Sequence, residues 1–124
     1  MNKDLLLKTF NQHLKDFMDD VLLVFPKEID IRTSRTFLLG VIKVKKKLPI
    51  YNWYHYIYLP YKEEIDKKNY EFYLNKDYTM DVDNQIVNGI EKIKRKIKLL
   101  SEDSKNKSLE YVSNLSKLSE LYYN

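Results

Sequence analysis

Two pairs of neighbouring carboxylates, Asp19-Asp20 and Glu63-Glu64, and two histidines, His13 and His55, are the first side chains to weigh for acid–base chemistry. General acid–base catalysis needs positioned groups that converge on one reacting atom. Adjacent residues of a helix point about 100° apart, so neither carboxylate pair converges. Neither histidine has an evident catalytic partner, and His13 reads as a flank of an apolar helical stripe. Asp81-Val82-Asp83 opens like a calcium loop, but its sixth position is Ile86 instead of glycine and its twelfth is Lys92 instead of glutamate. No phosphate-binding loop, dinucleotide fingerprint or nucleophile motif occurs. The sequence therefore points away from an enzyme, with no catalytic residue, metal or cofactor expected.

What remains is recognition chemistry. Residues 51–61, YNWYHYIYLPY, hold the single tryptophan, one of the two histidines and five of the eleven tyrosines. Rings of this kind build cores, and tyrosine and tryptophan also concentrate at binding hot spots. Tyr51, Tyr54, His55, Tyr58 and Tyr61 are the candidate partner contacts. Cations suggest a second chemistry. Lys45, Lys46 and Lys47 precede the rings, and Lys92, Lys94, Arg95, Lys96 and Lys98 are read as a basic arc opposite an isoleucine stripe. Within these, Lys45, Lys46, Lys47, Lys92, Arg95 and Lys96 are the candidate phosphate contacts, and rings beside cations can stack on unpaired bases. A solvated helix face accounts for the same lysines without any ligand. Only three arginines are present among 22 basic residues, and the net charge is +4, which permits an acidic partner without requiring one.

The elements that must carry these residues are helices. Two glycines and three prolines in 124 residues leave little punctuation for hairpins. Leu6, Phe10, Leu14, Phe17, Val21 and Val24 share one helical face, and Pro26 ends that helix near Phe25. A second helix is expected to open at Asp30, capping the Arg32 or Thr33 amide, with a stripe of Ile31, Ser34, Phe37 or Leu38, Val41 and Ile42. Gly40 inside it implies close approach of another helix. Pro49 suits a first helical turn. Ile50, Trp53, Ile57 and Tyr54 then form an apolar face, leaving Tyr51, His55 and Tyr58 wetter, and Pro60 ends or bends that helix. A short helix over 70–75 should bury Phe72, Tyr73 or Leu74.

Ile86, Ile90, Ile93, Ile97 and Leu100 step by four, three, four and three, as in a bundle helix, and Asp83 or Asn84 could cap it. The first four of these isoleucines could also pair two copies of the chain. A last helix, capped by Ser104, carries Leu109, Val112, Leu115, Leu118 and Tyr122. The expectation is all-α: one domain over 1–124, a compact bundle of about five helices. No stretch is long and apolar enough to span a membrane, and no secretory leader is evident. The lack of cysteine suits a reducing compartment.

Four segments, TFNQHLKDFMDDVLLVFP, WYHYIYLPYKEEI, EFYLNKDY and YVSNLSKLSELYY, in that order resemble short proteins of nucleocytoplasmic large DNA viruses, the giant viruses. The resemblance implies an all-helical protein of the infected cell's cytoplasm or of the virion. It implies no activity and no catalytic residue. Two functions fit this reading: a noncatalytic interaction or structural module, and a basic nucleic-acid-associated protein.

Overall fold

The computed structural model describes residues 2–75 and 85–124. The expected cap at Asp83 or Asn84 and the loop around Asp81 lie outside these residues, as do the side chains of Phe72 and Tyr73. The chain is all-α, a compact bundle of five helices. Its elements are α1 (Lys3–Val24), α2 (Ile29–Val44), α3 (Leu48–Asn52), a π-helix (Trp53–Tyr58), a 3-10 turn (Leu59–Tyr61), α4 (Lys62–Asp66), α5 (Tyr70–Asn75), α6 (Gln85–Ile97) and α7 (Glu102–Tyr123). Residues 48–66 run on as one distorted helical rod, which with α1, α2, α6 and α7 makes the five; α5 is a short addition. No described helix is long and apolar enough to cross a membrane.

The stripes read from the sequence build the core. Leu6, Phe10, Leu14, Phe17 and Val21 of α1 are buried, and α1 packs against α7 and α2. Val24, expected on that stripe, is exposed in the last turn of the helix. Ile86, Ile90, Ile93 and Ile97 of α6 are buried within the single chain, largely against α2. They are therefore already covered and are not a surface for pairing two copies. Leu74 of α5 is buried, as are Leu109, Val112, Leu115 and Tyr122 of α7, with Leu118 half-buried.

Two caps differ from expectation, and a third, on α1, had no forecast. The N-terminus of α2 lies at Glu28 with no side-chain cap, so Asp30 is already inside the first turn and acts only on the helix dipole. In α7 the cap is Ser101, whose hydroxyl accepts from the Ser104 amide. Ser104 is thus the capped residue. Asn2 caps α1 by accepting from the Leu5 amide at 2.7 Å.

The close approach expected at Gly40 is found at the other glycine. A Cβ on Gly40 would meet nothing within 4 Å, whereas one on Gly89 would touch Ser34 and Leu38 of α2 at 3.7–3.9 Å. Close approach occurs at Gly89, where α6 crosses α2. Gly40 faces open space.

The rod over 48–66 owes its distortion to Pro60. In an α-helix its ring would press on the carbonyl four residues back, that of Tyr56, and it has no amide to donate there. The preceding turn widens instead, and the Leu59 amide reaches back five residues to the Tyr54 carbonyl. Each residue of such a wider turn advances less than 100° around the axis. Tyr58, five positions after Trp53, is thereby rotated back onto the Trp53 side.

Candidate functional site

Part of the ring-rich segment is core. Trp53 is fully buried, meets Phe10 edge-on at 6.3 Å, and donates its indole N–H to Ser116 Oγ at 3.0 Å. Ile50 and Ile57 are buried beside it. Tyr58, expected to be wet, is only 1% exposed, a consequence of the widened turn. Its hydroxyl stands 2.8 Å from both Asp66 Oδ1 and Glu120 Oε2, and Lys62 pairs with Glu120 at 2.9 Å. Burial, then these carboxylates, pushes the Tyr58 hydroxyl far above the usual phenol range, while the Lys62 bond lowers the Glu120 carboxyl. Tyr58 is therefore a tie between the rod and α7 and offers nothing to a partner. Tyr61 is half-buried against the core.

The remaining rings form a fringe. Tyr54 stacks on Tyr123 at 4.6 Å, His55 lies 5.1 Å from Tyr54 and 5.4 Å from Tyr123, and Tyr51 lies 4.3 Å from His55. Tyr51 is the outermost of the set at 44% exposure. Tyr123, and Tyr122 beside it, are not among the expected contacts: the stripe of α7 accounts for Tyr122 as core and leaves Tyr123 unassigned, and the only local signal is the pair of adjacent rings closing the helix.

Tyr51 marks the junction of two surface hollows. One is an open groove of about 680 Å³ between the C-terminal half of α2 and the start of the rod, with Phe37, Gly40, Val41, Val44, Tyr51 and Tyr56 among its walls. Val44 is 78% exposed and Phe37 36%, so the groove presents apolar side chains that no described residue covers. Gly40 keeps it open, because any larger residue there would project into it. The second hollow, about 590 Å³, is walled by Lys3, Lys45, Lys46, Lys47, Tyr51 and Tyr122.

The turn carrying the three lysines is held at each carbonyl. Lys45 accepts from the Leu48 amide at 3.0 Å, Lys46 from Asn11 Nδ2 at 2.9 Å, and Lys47 from the Tyr51 amide at 3.2 Å. All three side chains are exposed, and among the described residues none forms an ion pair. A fixed turn thus presents three uncompensated ammonium groups beside an apolar groove and an exposed ring.

The basic arc of α6 is built differently. Lys94, read as part of the outer face, has a side chain only 2% exposed and pairs with Glu91 at 2.7 Å. The reason is angular: Lys94 falls one full turn and about 40° past Ile90, on the flank of the stripe rather than opposite it. Lys96 pairs with Glu28 at 3.2 Å and lies over the Phe25 ring at 5.7 Å, half-buried. Lys92 and Arg95 are exposed. The six candidate phosphate contacts therefore divide into two groups on different elements.

His13 packs at 4.7 Å on Tyr111, which stacks on Phe17 and donates to Asp20 Oδ2 at 2.6 Å. Burial lowers the His13 pKa, and Asp16 opposes that shift. Asp19, the other half of that carboxylate pair, is taken by Arg35. No cluster of potential metal ligands occurs among the described residues. No protein-family model, curated protein or solved structure matches the chain. The functional reading rests on the geometry.

Proposed function

We propose that the protein is a noncatalytic docking module whose binding face is the groove beside the C-terminal half of α2, with Lys45, Lys46 and Lys47 at its end. The occupant is a segment of a partner protein that places apolar side chains against Phe37, Val41 and Val44 and acidic ones near the lysine turn. One observation carries this: exposed apolar groove walls adjoin a rigid turn of unpaired cations. Apolar contact supplies affinity, and complementary charge supplies register and encounter rate. The proposed setting, an infected cell or a virion, rests on the sequence resemblance alone.

A second reading is supported by the same corner. Tyr51 beside Lys45–Lys47 also suits an unpaired nucleic-acid strand, with the ring under a base and the ammonium groups on phosphates. The two readings separate in one experiment. Affinity capture from cells expressing the chain, with and without nuclease, is compared for the wild type and for Gly40→Leu, which fills the groove without entering the core. Docking predicts one protein recovered regardless of nuclease and lost with Gly40→Leu. Recovery that nuclease abolishes, or that survives Gly40→Leu, contradicts it.

A further inference from the structure

The other flank of α2 carries a second groove, of about 620 Å³, between α1 and the C-terminal half of α2. Its floor is apolar, from Leu7, Leu39 and Ile42. Its rim is cationic from both walls: Lys8 and Lys15 on α1, Lys43 at the end of α2, and Lys46 just beyond it. Among the described residues Asp4 is the only acidic one that lines it. None of the four lysines forms an ion pair among the described residues. Four like charges around one hollow repel each other, and an anion lying between them relieves that repulsion.

A second observation is independent of charge. Asn11, which also lines the groove, is only 7% exposed. Its Nδ2 donates to the Lys46 carbonyl, which ties α1 to the end of α2 and fixes the width of the groove.

We propose that this groove binds a phosphate ester that carries an apolar body. The two parts answer two features: the apolar body covers Leu7, Leu39 and Ile42, and the phosphate lies among the lysines. Inorganic phosphate answers only the last. A phosphate is favoured over a single carboxylate because its greater charge is spread over several oxygens, which ammonium groups from two walls can share. The hollow falls in the ordinary range for small-molecule sites, roughly 300–1,000 Å³. A nucleotide and a lipid headgroup both have this chemistry.

The test is titration of the labelled protein by two-dimensional NMR, following the Asn11 side-chain amide and the backbone of residues 7–15 and 39–46. The probes are adenosine triphosphate, inorganic tripolyphosphate, and phosphatidylcholine vesicles with and without phosphatidic acid. The expected result is shifts confined to those residues, with adenosine triphosphate or the phosphatidic-acid vesicles at least about tenfold tighter than tripolyphosphate. Which of the two binds identifies the source. Lys8→Gln with Lys43→Gln should weaken that binding about tenfold at unchanged circular dichroism. Both residues line this groove and neither lines the docking face, so the result is independent of the proposed docking function. Equal affinity for tripolyphosphate, shifts centred on Tyr51, or no binding of any probe would overturn the proposal.

Discussion

The lysines at the end of α2 and those on α6 look alike in the sequence and do opposite work in the structure. On α6, Lys94 is drawn inside as half of a buried ion pair, and Lys96 is held by Glu28 and the Phe25 ring. On the turn 45–47 the carbonyls are tied down while the ammonium groups stay unpaired in solvent. In the first region the structure uses the charge, and in the second it leaves the charge available. A basic run is therefore not by itself a binding signal. What separates the two is where each side chain falls relative to the apolar stripe, and whether a carboxylate from another element reaches it.

The comparison can be broken first at Lys94. Lys94→Ala leaves Glu91 as a buried charge without this partner and should cost about 3–5 kcal/mol, read by urea denaturation. A loss below about 1 kcal/mol, the size of an exposed pair, would return Lys94 to the solvated face. Next in size is Gly40→Ala. A glycine in a helix interior that faces open space should give about 1 kcal/mol of added stability on this change. Destabilisation would mean that another element does approach there.

Lys96→Gln breaks one partly exposed pair and should cost roughly 0.2–1 kcal/mol. The triple change Lys45→Gln, Lys46→Gln, Lys47→Gln should move stability by no more than about 0.5 kcal/mol per site while weakening partner capture. A stability loss comparable to that of Lys94→Ala would erase the difference between the two regions.

The smallest effect concerns pH. His13 is held below its ordinary pKa by burial, so its neutral form is the one the fold favours. Its contribution is present above about pH 6.5 and is lost as pH falls through the lower folded pKa. His13→Gln should flatten that part of the stability curve. The slope should survive the triple lysine change. A slope unchanged by His13→Gln would locate the acid sensitivity elsewhere.

Regular spacing made the core legible. Phe10, Leu14 and Phe17, and Ile86 through Ile97, recur at helical intervals, and each set is buried as read. The failures follow from what a uniform wheel omits. It carries no widened turn, so Tyr58 was placed in solvent, although Pro60 four residues after Tyr56 was the available signal. It treats both glycines alike, whereas the packing of α6 on α2 sets Gly89 at a contact and Gly40 at an opening. Of the expected ring contacts, Tyr51 is exposed, Tyr54 and His55 belong to a fringe with Tyr123, Tyr61 is half-buried, and Tyr58 is core. The groove joins α2 to a rod that begins four residues later, and Asn11 meets Lys46 across 35 positions. No local pattern encodes such pairings.

Site-specific photocrosslinking tests the docking claim most directly. A photoreactive residue is placed at position 44, on the groove wall, and in a second variant at position 92, on the exposed face of α6. Both are irradiated in cells expressing the chain, and the adducts are treated with nuclease. The account predicts one protein adduct at position 44 that survives nuclease, disappears when Lys45, Lys46 and Lys47 are changed to glutamine, and has no counterpart at position 92. An adduct at position 92 alone, or one at position 44 that nuclease removes or the triple change leaves intact, would contradict it.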